Sequence, residues 1–238
     1  MSSNTNPGRI AGFLYLLLVV GAPVRLIYIP SKLFVHGNAA ATADNITAHQ
    51  LLFRLGIVTD LFCGTVLMLV VLALYRLLKG VDQNQAVLMV IIGGVMPATI
   101  DFLNVLNDAA ALMLVRGADF LSAFEKPQRD ALAMLFLRLH HGGVVANEIF
   151  WGLWLFPFGL LVYRSRFLPR ILGVWLIINC FAYLAVSFTG LLFPQYEARV
   201  FNSAFPAMLG ELAIMLWLLI KGAKPQPLGA GASSLAAG

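Results

Sequence analysis

An all-α integral membrane bundle is the fold this sequence predicts, and three observations predict it. Only 11% of the 238 residues are charged and 60% are hydrophobic, whereas soluble domains carry about 25% charged residues. The mean hydropathy is +0.86. Six apolar stretches each reach the ~20 residues that a helix needs to cross a bilayer. Six spans with short loops use up residues 1–224 as a single domain. The remaining 225–238 are Gly, Ala, Ser and Pro, a composition expected to be disordered.

The spans are expected at 10–30, 50–78, 86–115, 130–163, 170–193 and 199–221. In the first, Val20-Gly21-Ala22 has the look of a signal-peptide cleavage site. Pro23 would follow the cut, however, and apolar character resumes over Leu26–Ile29, so the stretch reads as a spanning helix. Arg25 near its end reads as a snorkelling side chain. The second span carries Arg54 and Asp60. The third contains Gly93-Gly94, which favours close helix approach, and Pro97, a kink point. The fourth has two weak points, Gly142-Gly143 and Pro157. The fifth is almost purely apolar, and the sixth holds Glu211 near its middle. Between spans, Ser31–His49 reads as a polar, mobile loop. Gly117–Asp130 reads as an interfacial turn in which Ser122 and Glu125 have capping-box spacing.

Lys and Arg counts set the expected orientation. One side holds Arg9, Arg76, Lys79, Arg164, Arg166, Arg170, Lys221 and Lys224; the other holds Lys32, Arg116, Lys126, Arg129 and Arg199. The excess places both termini in the cytoplasm. No basic stripe or nucleic-acid motif accompanies the net charge of +5, so nucleic acid is excluded as a partner and membrane lipids are expected. Cys63 and Cys180 read as buried free thiols. No His-Glu-x-x-His helix is present and no spacing compels a metal, so none is assigned; no cofactor is implied. The oligomeric state is not readable.

Chemistry is concentrated in ionisable residues inside the spans. Each costs ~2.5–3.5 kcal/mol at the bilayer centre if charged and unpaired, so such groups must face one another or water. At 100° per residue, Asp101, Asn104 and Asp108 lie within roughly 60° on span three. Arg138, His141 and Glu148 share a stripe on span four, with His140 and Asn147 beside it. Arg54, Asp60, Asp101, Asn104, Asp108, Arg138, His141, Glu148 and Glu211 are expected to line a pocket that opens outward. The favoured expectation is binding and acid–base conversion of a small amphiphilic, lipid-like substrate. His141, Glu148, Asp101 and Asp108 would be catalytic, with His141 and Glu148 as the proton-transfer pair. Arg54, Asp60, Asn104, Arg138, His140 and Glu211 would bind the ligand, the two arginines holding an anionic group. The same residues also suit a small solute or proton-coupled transporter, though no inverted repeat is present. A sensor or scaffold with a structural polar network is the third option.

Several short stretches carry a family resemblance: Arg9-Ile10-Ala11-Gly12, Leu52-Phe53-Arg54-Leu55-Gly56 with Asp60, and Asn104 with Asn107. To these add Gly117-Ala118-Asp119-Phe120-Leu121-Ser122-Ala123-Phe124, the His140-His141 pair before a Gly-rich turn, Leu168-Pro169-Arg170-Ile171-Leu172-Gly173 and Gly210-Glu211-Leu212. Together they make the chain similar, nearly end to end, to an uncharacterised family of bacterial multi-pass membrane proteins, domain of unknown function 4386. The resemblance implies a bacterial inner-membrane protein of six or seven helices and brings no activity, substrate or cofactor.

Overall fold

The structure is a computed structural model that describes residues 6–224. The expected disordered tail, 225–238, lies outside the described residues. Among the described residues, six helices are long and apolar enough to cross a membrane: Pro7–Leu33, Gln50–Leu78, Gln83–Arg116, Lys126–Arg164, Arg170–Leu192 and Pro194–Ile220. They are spans one to six below. Each span packs on its neighbour in sequence, and span one packs on span six, so the bundle closes into a ring. Sequential antiparallel packing is what short connections allow.

The ring closes at the end that carries Asn6 and Ala223. Gly8 N–H donates to Ala223 O (3.0 Å), Ala223 N–H donates to Asn6 Oδ1 (2.9 Å), and the Arg9 guanidinium donates to Ile220 O (3.1 Å). Gly8 and Gly12 form a Gly-x-x-x-Gly spacing. A Cβ at either would run into the backbone of Ala223 or Leu219, so their bareness is what lets the two helices touch. Both ends of the described chain therefore sit on one side, as an even number of spans requires.

Prolines shape the spans in two ways. Pro30 and Pro97 lack an N–H, and each ring would clash with the carbonyl four residues back. A widened π-helical turn precedes each. Ile29 N–H bonds to Val24 O across Val24–Tyr28, and Met96 N–H bonds to Ile91 O across Ile91–Val95. Single π turns of this kind are often found at functional sites. In span four the regular helix Lys126–Leu153 is interrupted at Trp154 and restarts as Leu155–Arg164. The break is at the residue three before Pro157, not at Gly142-Gly143.

The loop end is more ordered than the sequence suggests. Within Ser31–His49 a helix runs from Ala39 to Ala48, capped by Asn38, which accepts from Ala41 N–H. Its Thr42, Ala43 and Ile46 are buried, and it packs on spans three and four. The capping box also lies three residues further on: Glu125 caps span four and Gln128 reaches back to it, rather than Ser122 pairing with Glu125.

Two apolar layers bracket the middle of the bundle. At the loop end Ile29, Leu33, Ile46, Phe53, Leu112 and Leu137 pack together. At the terminal end a larger core includes Leu74, Leu77, Leu78, Met89, Leu155, Phe158, Leu176 and Leu218. The polar residues of the spans lie between these layers.

Candidate functional site

The loop-side polar level is organised by Arg25. It sits in the π turn of span one and is only 4% exposed, while Val24, Leu26, Ile27 and Tyr28 around it are all exposed. Apolar groups face outward and the one charge faces inward, the arrangement lipid demands. Arg25 Nε donates to Asp60 Oδ2 at 2.7 Å, and Nη2 donates to Asp108 Oδ2 at 2.5 Å. Nη2 also lies 2.7 Å from His140 Nε2. A guanidinium only donates, so His140 Nε2 accepts and the ring hydrogen sits on Nδ1. That nitrogen faces Asn104 O at 3.4 Å and Asp108 Oδ1 at 3.5 Å. Asn104 in turn donates to His140 O at 2.8 Å and accepts from Asn107. Gly143 makes room for Asn104, because a Cβ there would collide with the amide.

This level ties span one to spans two, three and four. Asp60, Asp108 and His140 offer donor atoms within 4.8 Å of one another, a set of the kind that holds a metal ion. The Arg25 guanidinium is hydrogen-bonded to each of them, so the cation these donors surround is a side chain of the protein itself.

One to two turns further along, a second level begins. Asn147, fully buried, donates to Asp101 Oδ1 at 2.8 Å and to Pro97 O at 3.2 Å. The latter carbonyl lies within the kinked stretch of span three. Deeper still, the Tyr15 hydroxyl donates to Glu211 Oε1. Tyr183 and Asn179 face the same carboxylate. Trp154 packs behind, its ring 6.2 Å from that of Tyr15 and stacked at 5.2 Å on Phe158.

Asp101 and Glu211 share a cavity of about 360 Å³. All six spans contribute to its wall, which is otherwise apolar and aromatic. Leu18, Ala22 and Leu26 come from span one, Cys63 and Leu67 from span two, Trp151 and Trp154 from span four, and Phe205, Met208 and Leu209 from span six. Leu26, Phe201 and Phe205 belong to this wall and are 38–51% exposed. The mouth therefore lies on the lateral surface between spans one and six, where the close contact made by Gly8 and Gly12 has ended.

The expected site residues are thus divided among three places. Asp60, Asn104, Asp108 and His140 meet around Arg25. Asp101 and Glu211 line the cavity. Arg54 and Arg138 are exposed on the bundle surface. His141 is also outside: its side chain is 66% exposed and its Nε2 lies 3.8 Å from Glu197 Oε1. Glu148 is half-buried and faces Glu197. Arg138 and His141 therefore point away from the ring and the neighbouring His140 and Asn147 point in, while Glu148 on the first stripe keeps one oxygen buried without a partner. The opening is lateral rather than at the loop end, which Ile29, Leu33, Ile46 and Phe53 close. Arg25, Tyr15, Asn147, Trp154 and Tyr183 are the site-forming residues that sequence reasoning missed. The spacing of His140 and Asn147, two turns apart on one face, was the signal available for Asn147.

Residues 10–222 match the family described as Domain of unknown function (DUF4386). The chain belongs to this family. Comparisons with curated proteins and with solved structures each give no significant match. It is a membrane-embedded helical protein of a family whose function is not established, and the geometry of its own side chains is what bears on its role.

Proposed function

We propose that the protein binds a small single-tailed amphiphile, which enters sideways from the bilayer and places its head group against Asp101 and Glu211. The observation that carries this reading is the cavity: apolar walls from all six spans, two carboxylates at its depth and a mouth flanked by exposed Leu26, Phe201 and Phe205. Its size lies at the low end of the range for small-molecule sites, and a few polar groups in an apolar pocket are how such sites fix orientation. The apolar layers at both ends of the bundle favour residence of a ligand over passage through the ring.

The test is native mass spectrometry of the purified protein. A bound amphiphile should ride with the wild type and be absent from Leu18→Trp, which fills the cavity. Equal adducts on both proteins would count against the reading. We place the protein in a bacterial inner membrane with both termini in the cytoplasm, on the Lys and Arg asymmetry and the family resemblance. A carboxy-terminal green fluorescent protein fusion should then fluoresce, while an alkaline phosphatase fusion at the same point should be inactive; the opposite pair of results would invert the topology.

A further inference from the structure

We infer that the head group the cavity takes is cationic, an ammonium carried on a single aliphatic tail. This deepens the cavity reading above and rests on it. The cavity wall contains two carboxylates and, among the described residues, no Lys, Arg or His. Four other carboxylates have cationic partners: Asp60 and Asp108 have Arg25, Asp130 has Lys126, and Asp82 has Arg164; Glu148, outside the cavity wall, faces Glu197 instead. Asp101 and Glu211 differ. Their neighbours are neutral donors: the Asn147 amide at Asp101, and the Tyr15 phenol with Tyr183 and Asn179 at Glu211. A carboxylate in an apolar site gains most from a positive charge brought within contact distance, and here that charge has to arrive with the occupant.

The aromatic composition points the same way. Tyr15, Trp151, Trp154 and Tyr183 all contribute to the wall. Ring faces attract cations, and cages of such rings are a recurrent means of holding quaternary ammonium groups. An anionic head group would meet two carboxylates, with no Lys, Arg or His in the wall to offset them. The tail would leave through the apolar mouth beside Leu26 and Phe205, into the bilayer.

The experiment is a calorimetric titration of the full-length protein in phosphatidylcholine nanodiscs, with empty discs subtracted. Three probes share a dodecyl tail: dodecyltrimethylammonium, dodecanol and dodecyl sulfate. The ammonium should bind at least about tenfold more tightly than dodecanol, with the sulfate weakest. Glu211→Gln and Asp101→Asn should each remove most of that preference, lowering ammonium affinity more than dodecanol affinity. Equal affinity for ammonium and dodecanol in the wild type would overturn the cationic assignment while leaving the cavity reading standing. If none of the three binds, the cavity reading falls and takes this inference with it. The wild-type comparison decides the matter even if a variant does not fold.

Discussion

At the loop-side level Asp60 and Asp108 share one guanidinium and are enclosed by four spans. At the deeper level Asp101 and Glu211 accept from an amide and a phenol and face an open cavity. The side chains are of one chemical type, yet their surroundings assign them different work. A carboxylate with a fixed cation holds helices together, because separating the pair leaves a bare charge in apolar surroundings. A carboxylate with neutral donors and free volume beside it is incomplete until something occupies that volume. Burial alone does not separate the two cases; the presence of a cationic partner does.

The sharpest way to break this contrast is to remove the shared cation. Arg25→Met leaves two carboxylates facing each other without a positive charge, and it should destabilise the protein by about 3–5 kcal/mol, read as a shift in the mixed-micelle unfolding midpoint. Adding Asp60→Asn and Asp108→Asn should restore much of the loss, since neutral replacements of a buried ionic group are often tolerated. A single-variant loss below about 1 kcal/mol would show that the level does not hold the helices. Next in size is Asp108→Asn, which keeps the shape but weakens one charged contact; the expected cost is about 1–3 kcal/mol. Glu211→Gln should shift unfolding by less than about 1 kcal/mol, because the amide oxygen still accepts from Tyr15. Smallest of all are Arg54→Ala, Arg138→Ala and His141→Ala. All three residues are exposed, and each change should stay within about 0.5 kcal/mol and leave amphiphile affinity unaltered by titration.

The spans were legible because twenty apolar residues in a row have few other uses, and the prolines marked where helices deform. The site was only half legible. His140 and His141 are adjacent, about 100° apart on the helix, and both stripes beside them carry polar residues. In water the apolar face would mark the interior. In lipid the outward face is apolar as well, so periodicity does not say which stripe points in. Arg25 was misplaced for a related reason. Its position near the expected end of span one suggested an interfacial role, but the helix continues to Leu33, and the π turn places Arg25 inside the bundle. The helix Ala39–Ala48 was hidden by its Ala, Thr and Asn content, of which only Thr42, Ala43 and Ile46 are buried. The Gly8–Gly12 spacing is in the sequence, but the backbone it packs on, at Ala223, is more than two hundred positions away in the chain. Tyr15 and Tyr183 reach Glu211 from spans one and five, and no local pattern links them.

The most direct test sets Asp108→Asn and Glu211→Gln side by side, measuring the unfolding midpoint and dodecyltrimethylammonium affinity in one preparation of each. Asp108→Asn should lower the midpoint and keep the affinity; Glu211→Gln should keep the midpoint and lose the affinity. If both variants lose stability alike and bind alike, the carboxylates form one structural network, and the division between a closed ion-paired level and an open binding level is wrong.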